Sequence, residues 1–266
     1  MRTYSLLYLT QAIARVFPQP LELWVVSTDA QTGNHPSSHH APDKACLLGI
    51  AKVASKELPN ITTRCLDLEF AGNTSETLAT IIWDELHTQI TSVAEIAYRE
   101  RQRWVSNVVK LSNDISDRIP WTPRQNGVYL ITGGQNGLGM EVAKYLATAG
   151  KTKLILMNRS PLPQETEWER ILEEQSNYPS AIVKKIQDIQ SLRAAGVEVY
   201  PIAGDVADET QMSAIIKDIK EKFGVFHGVV HCAGVLEDKT LTHMDAATFE
   251  MVLRPKVRGA WILHRL

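Results

Sequence analysis

The chain is poor in cysteine, has no surplus of one charge and contains no long apolar run. Among 266 residues there are three cysteines, Cys46, Cys65 and Cys232. They are too few and too scattered for a disulfide framework or a metal box, and that usage fits a reducing cytoplasmic setting. Lys+Arg 28 against Asp+Glu 30 leaves a net charge of −2, so no basic field suggests nucleic acid as a partner. No stretch approaches the roughly 18–20 apolar residues of a membrane span. The N-terminus has only the outline of a signal peptide. Leu6-Leu7-Tyr8-Leu9 is interrupted by Thr10 and Gln11 before a core of about 7–15 residues is reached. An amphipathic helix with Leu6, Leu9, Ile13 and Val16 on one face is expected there instead. His35, His39 and His40 share a Ser/Pro loop with no convergent carboxylate or cysteine, so no metal site is expected.

What is present is ordinary globular composition, 44% hydrophobic and 22% charged, at a length that allows one to two domains. Helix is expected over 3–16, 43–57 and 75–88, with strand over 21–27, 61–68 and 93–98. Leu23-Trp24-Val25-Val26 has the look of a buried parallel strand. Asn73 or Thr74 is placed to start the third helix. Residues 111–126, with Pro120 and Pro123 and no period, read as a connection. A second alternating run follows: strands 127–132, 153–157, 197–202 and 225–231, and helices 138–149, 209–222, 246–253 and 256–265. Between the second and third of these strands lies an excursion, 160–195. It is charged in its first part and helical in its second, with Ile182, Ile186 and Ile189 on one face. Alternating strand and helix means α/β layers. The expected fold is two Rossmann-like doubly wound parallel-sheet units, 1–118 and 127–266, joined by a linker at 119–126, the second unit truncated.

The strongest local signal is Val128-Tyr129-Leu130-Ile131-Thr132-Gly133-Gly134-Gln135-Asn136-Gly137-Leu138-Gly139, an apolar strand running into a glycine turn that opens an amphipathic helix. Gly133 suits the tight turn, Gly137 the approach of a pyrophosphate, and Gly139 close packing of the helix, whose free N–H groups favour an anion. After the next strand the sequence is Met157-Asn158-Arg159-Ser160. An NAD site usually has an acid there, whereas a guanidinium pairs with a 2′-phosphate, so the charge points to NADP(H); the bland alternative is an arginine solvating a strand end. Asp205-Val206 follows the third strand, where the carboxylate can accept from an adenine amino group or cap the helix that starts near 209. The fourth strand ends in His231-Cys232-Ala233-Gly234-Val235, whose small residues leave room for nicotinamide and ribose. His231 alone reads as a core histidine, and Cys232 reads as buried and inert.

Together these segments resemble the short-chain dehydrogenase/reductase superfamily and, more closely, the ketoreductase domain of modular polyketide synthases. The resemblance also rests on Gly204-Asp205-Val206-Ala207-Asp208 and Pro255-Lys256-Val257-Arg258-Gly259-Ala260. In the first half, Leu23-Trp24-Val25-Val26-Ser27-Thr28, Ala45-Cys46-Leu47-Leu48-Gly49-Ile50 and Ala97-Tyr98-Arg99 resemble the family's non-catalytic structural subdomain. The resemblance implies NADPH-dependent reduction of a β-ketoacyl group on an acyl carrier protein, within a cytoplasmic synthase with neighbouring domains. In that family a Lys, a Ser and a Tyr carry out the reduction, the Tyr hydroxyl protonating and the Ser hydroxyl holding the carbonyl oxygen. Lys256 matches the Lys; without the resemblance it would read as a surface lysine near a helix start. The elements expected to bring the Ser and Tyr do not follow it here. The chain is therefore expected to be a piece cut at both ends and inactive alone. A non-catalytic NADP-binding scaffold and a free-standing reductase or epimerase remain as alternatives. Finally, Leu236-Glu237-Asp238 resembles the Leu-Asp-Asp that marks D-configured, B-type products, with Asp238 matching its last position and Glu237 departing from it.

Overall fold

A computed structural model of the chain describes residues 2–31, 41–88, 95–110 and 121–266. The histidine loop at 32–40 and residues 111–120 of the expected connection lie outside the described residues. The chain divides into two compact units. One comprises Met1–Ile115 with Asp238–Ala246, and the other Ser116–Glu237 with Ala247–Leu266. Both are α/β layers built on a largely parallel sheet.

In the first unit the elements are α1 (Arg2–Val16), β1 (Leu21–Thr28), α2 (Cys46–Glu57), β2 (Ile61–Leu68), α3 (Ser75–His87), β3 (Glu95–Arg99) and β4 (Gln102–Val105). The sheet order is β1-β2-β3-β4, parallel except for the last pair. Thr74 caps α3, its hydroxyl accepting from Thr77 N at 3.3 Å. One face of β2 and β3 buries Leu66, Leu68 and Ile96 against Leu78, Ile81 and Ile82 of α3. The expected apolar face of α1 is corrected: Leu6, Leu7 and Thr10 are buried, whereas Leu9 is 49% and Val16 77% exposed. The Thr10 hydroxyl reaches the buried face because it donates to Leu6 O at 2.8 Å, which satisfies it within the helix.

Strand β4 is absent from the expectation for a physical reason. Its turn is Glu100-Arg101, both at positive φ (50° and 62°), the mirror-image geometry that asparagine and glycine usually announce. Segment Asp238–Ala246, which the sequence placed inside the second domain, packs with the first unit. Gln11 Nε2 donates to Leu241 O at 2.8 Å and to Met244 O at 2.7 Å, and Glu57 accepts from Leu241 N at 2.6 Å.

The second unit holds β5 (Val128–Thr132), α4 (Gly137–Ala147), β6 (Lys153–Asn158), α5 (Trp168–Glu173), α6 (Ser180–Ala194), β7 (Glu198–Ala203), α7 (Glu209–Phe223), β8 (Gly228–His231), α8 (Ala246–Leu253), a π-helical turn Arg254–Gly259 and α9 (Ala260–Arg265). All pairs in the order β7-β6-β5-β8 are parallel. Side chains alternate across this sheet as the pleat requires. Tyr129, Ile131, Leu154 and Leu156 face α4 and α6, while Val128, Leu130, Ile155 and Met157 face α7 and α9. Pro201, which lacks an N–H, is tolerated because β7 is an edge strand. Helix α5, unexpected within the charged stretch, is held by buried Trp168 and Ile171. The chain moves outward from β5 through β6 to β7, then returns to the other side of β5 for β8. That reversal opens a crevice at the C-terminal ends of β5 and β8. Among the described residues no helix is long and apolar enough to cross a membrane, and no cluster of metal-ligating side chains occurs.

Candidate functional site

The turn after β5 is shaped by contacts that leave no room for side chains. Gly133 has φ +68°, and a Cβ there would stand 2.8 Å from Ala233 N and from the Cys232 carbonyl. A Cβ on Gly139 would stand 2.2 Å from Gly133 O, so α4 packs directly on the turn. Gly137 differs: its φ is +51° and nothing lies within 4 Å, so its backbone faces open space. Gly133 N and Gly134 N both donate to Met157 O, at 2.7 and 3.3 Å. Asn136 caps α4 with its backbone alone, no side-chain cap bond being made, which leaves the first-turn amides free for an anion.

A groove of about 1190 Å³ opens above this turn. Its walls come from the turn itself, Asn158–Ser160 at and after the end of β6, Gly204–Val206 after β7, His231–Leu236 at and after the end of β8, Arg254–Lys256 of the π-helical turn, and Lys185 of α6. The groove therefore gathers Gly133, Gly137, Leu138, Gly139, Asn158, Arg159, Ser160, Asp205, Val206, His231, Ala233, Gly234 and Lys256 from segments far apart in the chain. Thr132 and Gly134 are buried and do not line it. Nor does Asp238: the lining stops at Leu236, and Asp238 begins the segment that belongs to the first unit.

Several side chains in the groove are already committed. Asn158 Oδ1 accepts from Gln135 N at 3.1 Å, so this side chain braces the glycine turn. Asp205 accepts from Ala207 N at 2.9 Å and pairs with Arg254 at 3.0 Å. Helix α7 is capped by Asp208 and not by Asp205: Asp208 accepts from Gln211 N at 3.0 Å, and that backbone bond holds its carboxyl below the ordinary range. His231 Nε2 lies 3.0 Å from Pro255 O, an acceptor only, so Nε2 carries the proton; Nδ1 faces Thr132 Oγ1 at 2.7 Å. The imidazole thus ties β5 to the π-helical turn that presents Lys256. Cys232 is corrected from the expectation of burial: it is partly exposed and lines the groove. Arg159, Lys185 and Lys256 have no ion pair among the described residues.

Sequence reading missed Gln135. Its buried amide donates to Leu156 O at 3.0 Å and Ile202 O at 3.2 Å, fastening the turn to β6 and β7. No spacing signal marks a glutamine whose partners are backbone carbonyls of distant strands. Arg254 was missed for the same reason, its partner Asp205 lying on another element.

A glycine turn, a switch point and a cationic groove define an α/β protein of the nucleotide-binding type. More narrowly, residues 127–266 match the KR domain family, and the chain belongs to that family. It is 27% identical over 266 aligned residues to 5-methyl-1-naphthoate synthase of Streptomyces sahachiroi, covering 97% of this chain and 14% of that protein. It is 38% identical over 143 residues to 6-methylsalicylic acid synthase of Aspergillus terreus, covering 53% of this chain and 8% of that one. The crystal structure of a ketoreductase domain from the bacillaene assembly line superposes with a TM-score of 0.75 at 23% identity, covering 99% of this chain and 56% of that one. The chain thus spans a small part of the curated relatives it matches.

Proposed function

We propose that this chain supplies the cofactor-binding part of a ketoreductase that reduces a β-ketoacyl thioester, borne on an acyl carrier protein, to the β-hydroxyacyl thioester with NADPH. The parent would be a cytoplasmic synthase whose neighbouring domains deliver the substrate. The observation that carries the cofactor choice is Arg159, exposed on the groove wall where an NAD site would hold an acid. The groove also fits a polyanion: four cationic side chains line it against Asp205 and Glu250, in a chain of net charge −2.

In this reading the α4 amides and Gly137 hold the pyrophosphate, Arg159 and Ser160 the 2′-phosphate, and Val206, Ala233 and Gly234 the base and ribose walls. When bound, NADPH supplies the hydride. Lys256, steadied through the His231–Pro255 bond, anchors the ribose and favours proton release from a neighbouring tyrosine hydroxyl. No tyrosine is among the groove's lining residues. That supports a second reading for the 266-residue polypeptide by itself, cofactor binding without turnover. Asp238 is carried forward as the marker of a D-configured product, checked by chiral chromatography of the β-hydroxyacyl product of the intact synthase; a mainly L-configured product rejects it.

The cofactor test is titration of NADPH and NADH against the polypeptide and against the intact synthase. NADPH should bind more tightly, and Arg159→Ala should weaken it by roughly 10–150-fold through loss of a charge-assisted phosphate contact. Equal affinities in the wild type would overturn the NADPH reading.

A further inference from the structure

The excursion between β6 and β7 is not explained by the glycine turn, yet one of its residues reaches the groove. Lys185 lies on α6, partly buried, and lines the groove that Arg159 also lines. Its neighbour Lys184 is 74% exposed and pairs with Asp188 at 3.3 Å. Lys144 of α4 takes the other oxygen of Asp188 at 3.6 Å. Asp188, one turn beyond Lys185, is therefore engaged from both sides, and Lys185 has no ion pair or hydrogen bond among the described residues.

The aliphatic stem of a lysine can lie along an apolar wall while the ammonium stays in the groove. An ammonium on the groove wall with no protein partner is available to an anionic ligand, and charge-assisted contacts of that kind are the strong ones. The two carboxylates on the groove do not fill that role. Asp205 is paired with Arg254, and Glu250 has an interaction of its own. The groove's carboxylates are thus engaged, and an anion for Lys185 would come from a ligand.

Two phosphate sources exist on a dinucleotide, the pyrophosphate and the 2′-phosphate. The pyrophosphate belongs at the start of α4, where Gly137 and the uncapped amides are. Lys185 comes instead from α6, within the excursion that directly follows Arg159, and lines the same groove as Arg159. We propose that Lys185 is a second cation for the 2′-phosphate, so that α6 is part of the cofactor site and sets NADP(H) preference together with Arg159. The proposal rests on the NADPH reading above.

The experiment is calorimetric titration of the 266-residue polypeptide with NADP+ and, separately, NAD+, for the wild type, Lys185→Gln, Lys185→Arg and Arg159→Gln, each checked for folding by circular dichroism. Lys185→Gln should weaken NADP+ by about five- to tenfold and leave NAD+ within about twofold, while Lys185→Arg keeps the preference. If Lys185→Gln changes neither affinity and Arg159→Gln still removes the preference, Lys185 has no role and the NADPH reading stands. Equal weakening of both dinucleotides assigns Lys185 to a shared phosphate and overturns the proposal. A wild type with no preference removes the NADPH reading and the proposal together.

Discussion

The two units carry similar layers but finish their strands differently. In the first, the C-terminal ends of β1, β2 and β3 are filled by Asp67 and Arg99, both 1% exposed and joined as an ion pair. Asp67 also accepts from Ser27 Oγ at 2.7 Å, Ala30 N at 3.0 Å and Gln31 N at 3.1 Å. Arg99 donates to Tyr98 O at 2.7 Å, Asp67 O at 3.1 Å and Gln31 O at 2.5 Å. In the second unit the corresponding ends are followed by Gly133, Gly204, Ala233 and Gly234, and a groove stands open. Topology agrees: the described strands of the first sheet run in one direction of order, with no reversal, whereas the second reverses at β5. A shared architecture thus opens a groove only where the strand ends leave space and unspent hydrogen-bonding groups.

The sharpest way to break this comparison is to open the filled end. Removing one partner of a buried ion pair leaves an uncompensated charge, so Arg99→Met should destabilise the first unit by about 3–5 kcal/mol. Adding Asp67→Leu should recover part of that loss, because no lone charge then remains. Urea unfolding of wild type, single and double variants measures this, and a double variant worse than the single would contradict it.

Closing the open end should cost less. Gly139→Ala puts a methyl 2.2 Å from Gly133 O, against backbone that cannot swing away, and overpacking of this kind costs about 1–3 kcal/mol. Gly137→Ala meets no atom and should cost only the left-handed conformation, about 1–2 kcal/mol. Thermal melts should therefore rank Gly139→Ala below Gly137→Ala, and equal melting temperatures would contradict the close-packed turn.

The smallest effect separates two cysteines. Burial, with Glu95 nearby, pushes the Cys65 thiol up to about 11. It is 3% exposed, so it stays protonated at neutral pH and should resist iodoacetamide, reacting only as pH rises toward that value or the unit opens. Cys232 is reachable from the groove and should be alkylated first, with NADP+ slowing it. Mass-spectrometric mapping of modification reads both, and faster labelling of Cys65 would contradict the assignment.

Much of this was legible in advance. The apolar run 128–132 and the glycines that follow announce strand, turn and helix start, because each depends on residues adjacent in the chain. The start of helix α3 was announced for the same reason, with Asn73 and Thr74 both candidates and Thr74 the one that caps it. Strand β4 was not, since Glu100-Arg101 adopts its turn without the residues that usually signal one. The α1 face shifted because Thr10 satisfies its hydroxyl within the helix and can be buried, a possibility that apolar periodicity does not count.

By itself the sequence determined the alternation of elements, the glycine turn and the sign of charge after β6, all set by local backbone preference and hydrophobic period. Only the tertiary structure decided which charges are spent and which are free. Asp205 is claimed by Arg254, Asp67 by Arg99, and Asp188 by Lys144 and Lys184, while Lys185 is left facing the groove. Electrostatic pairing depends on distance in space, and the partners of Asp205 and Asp67 lie 49 and 32 residues away along the chain.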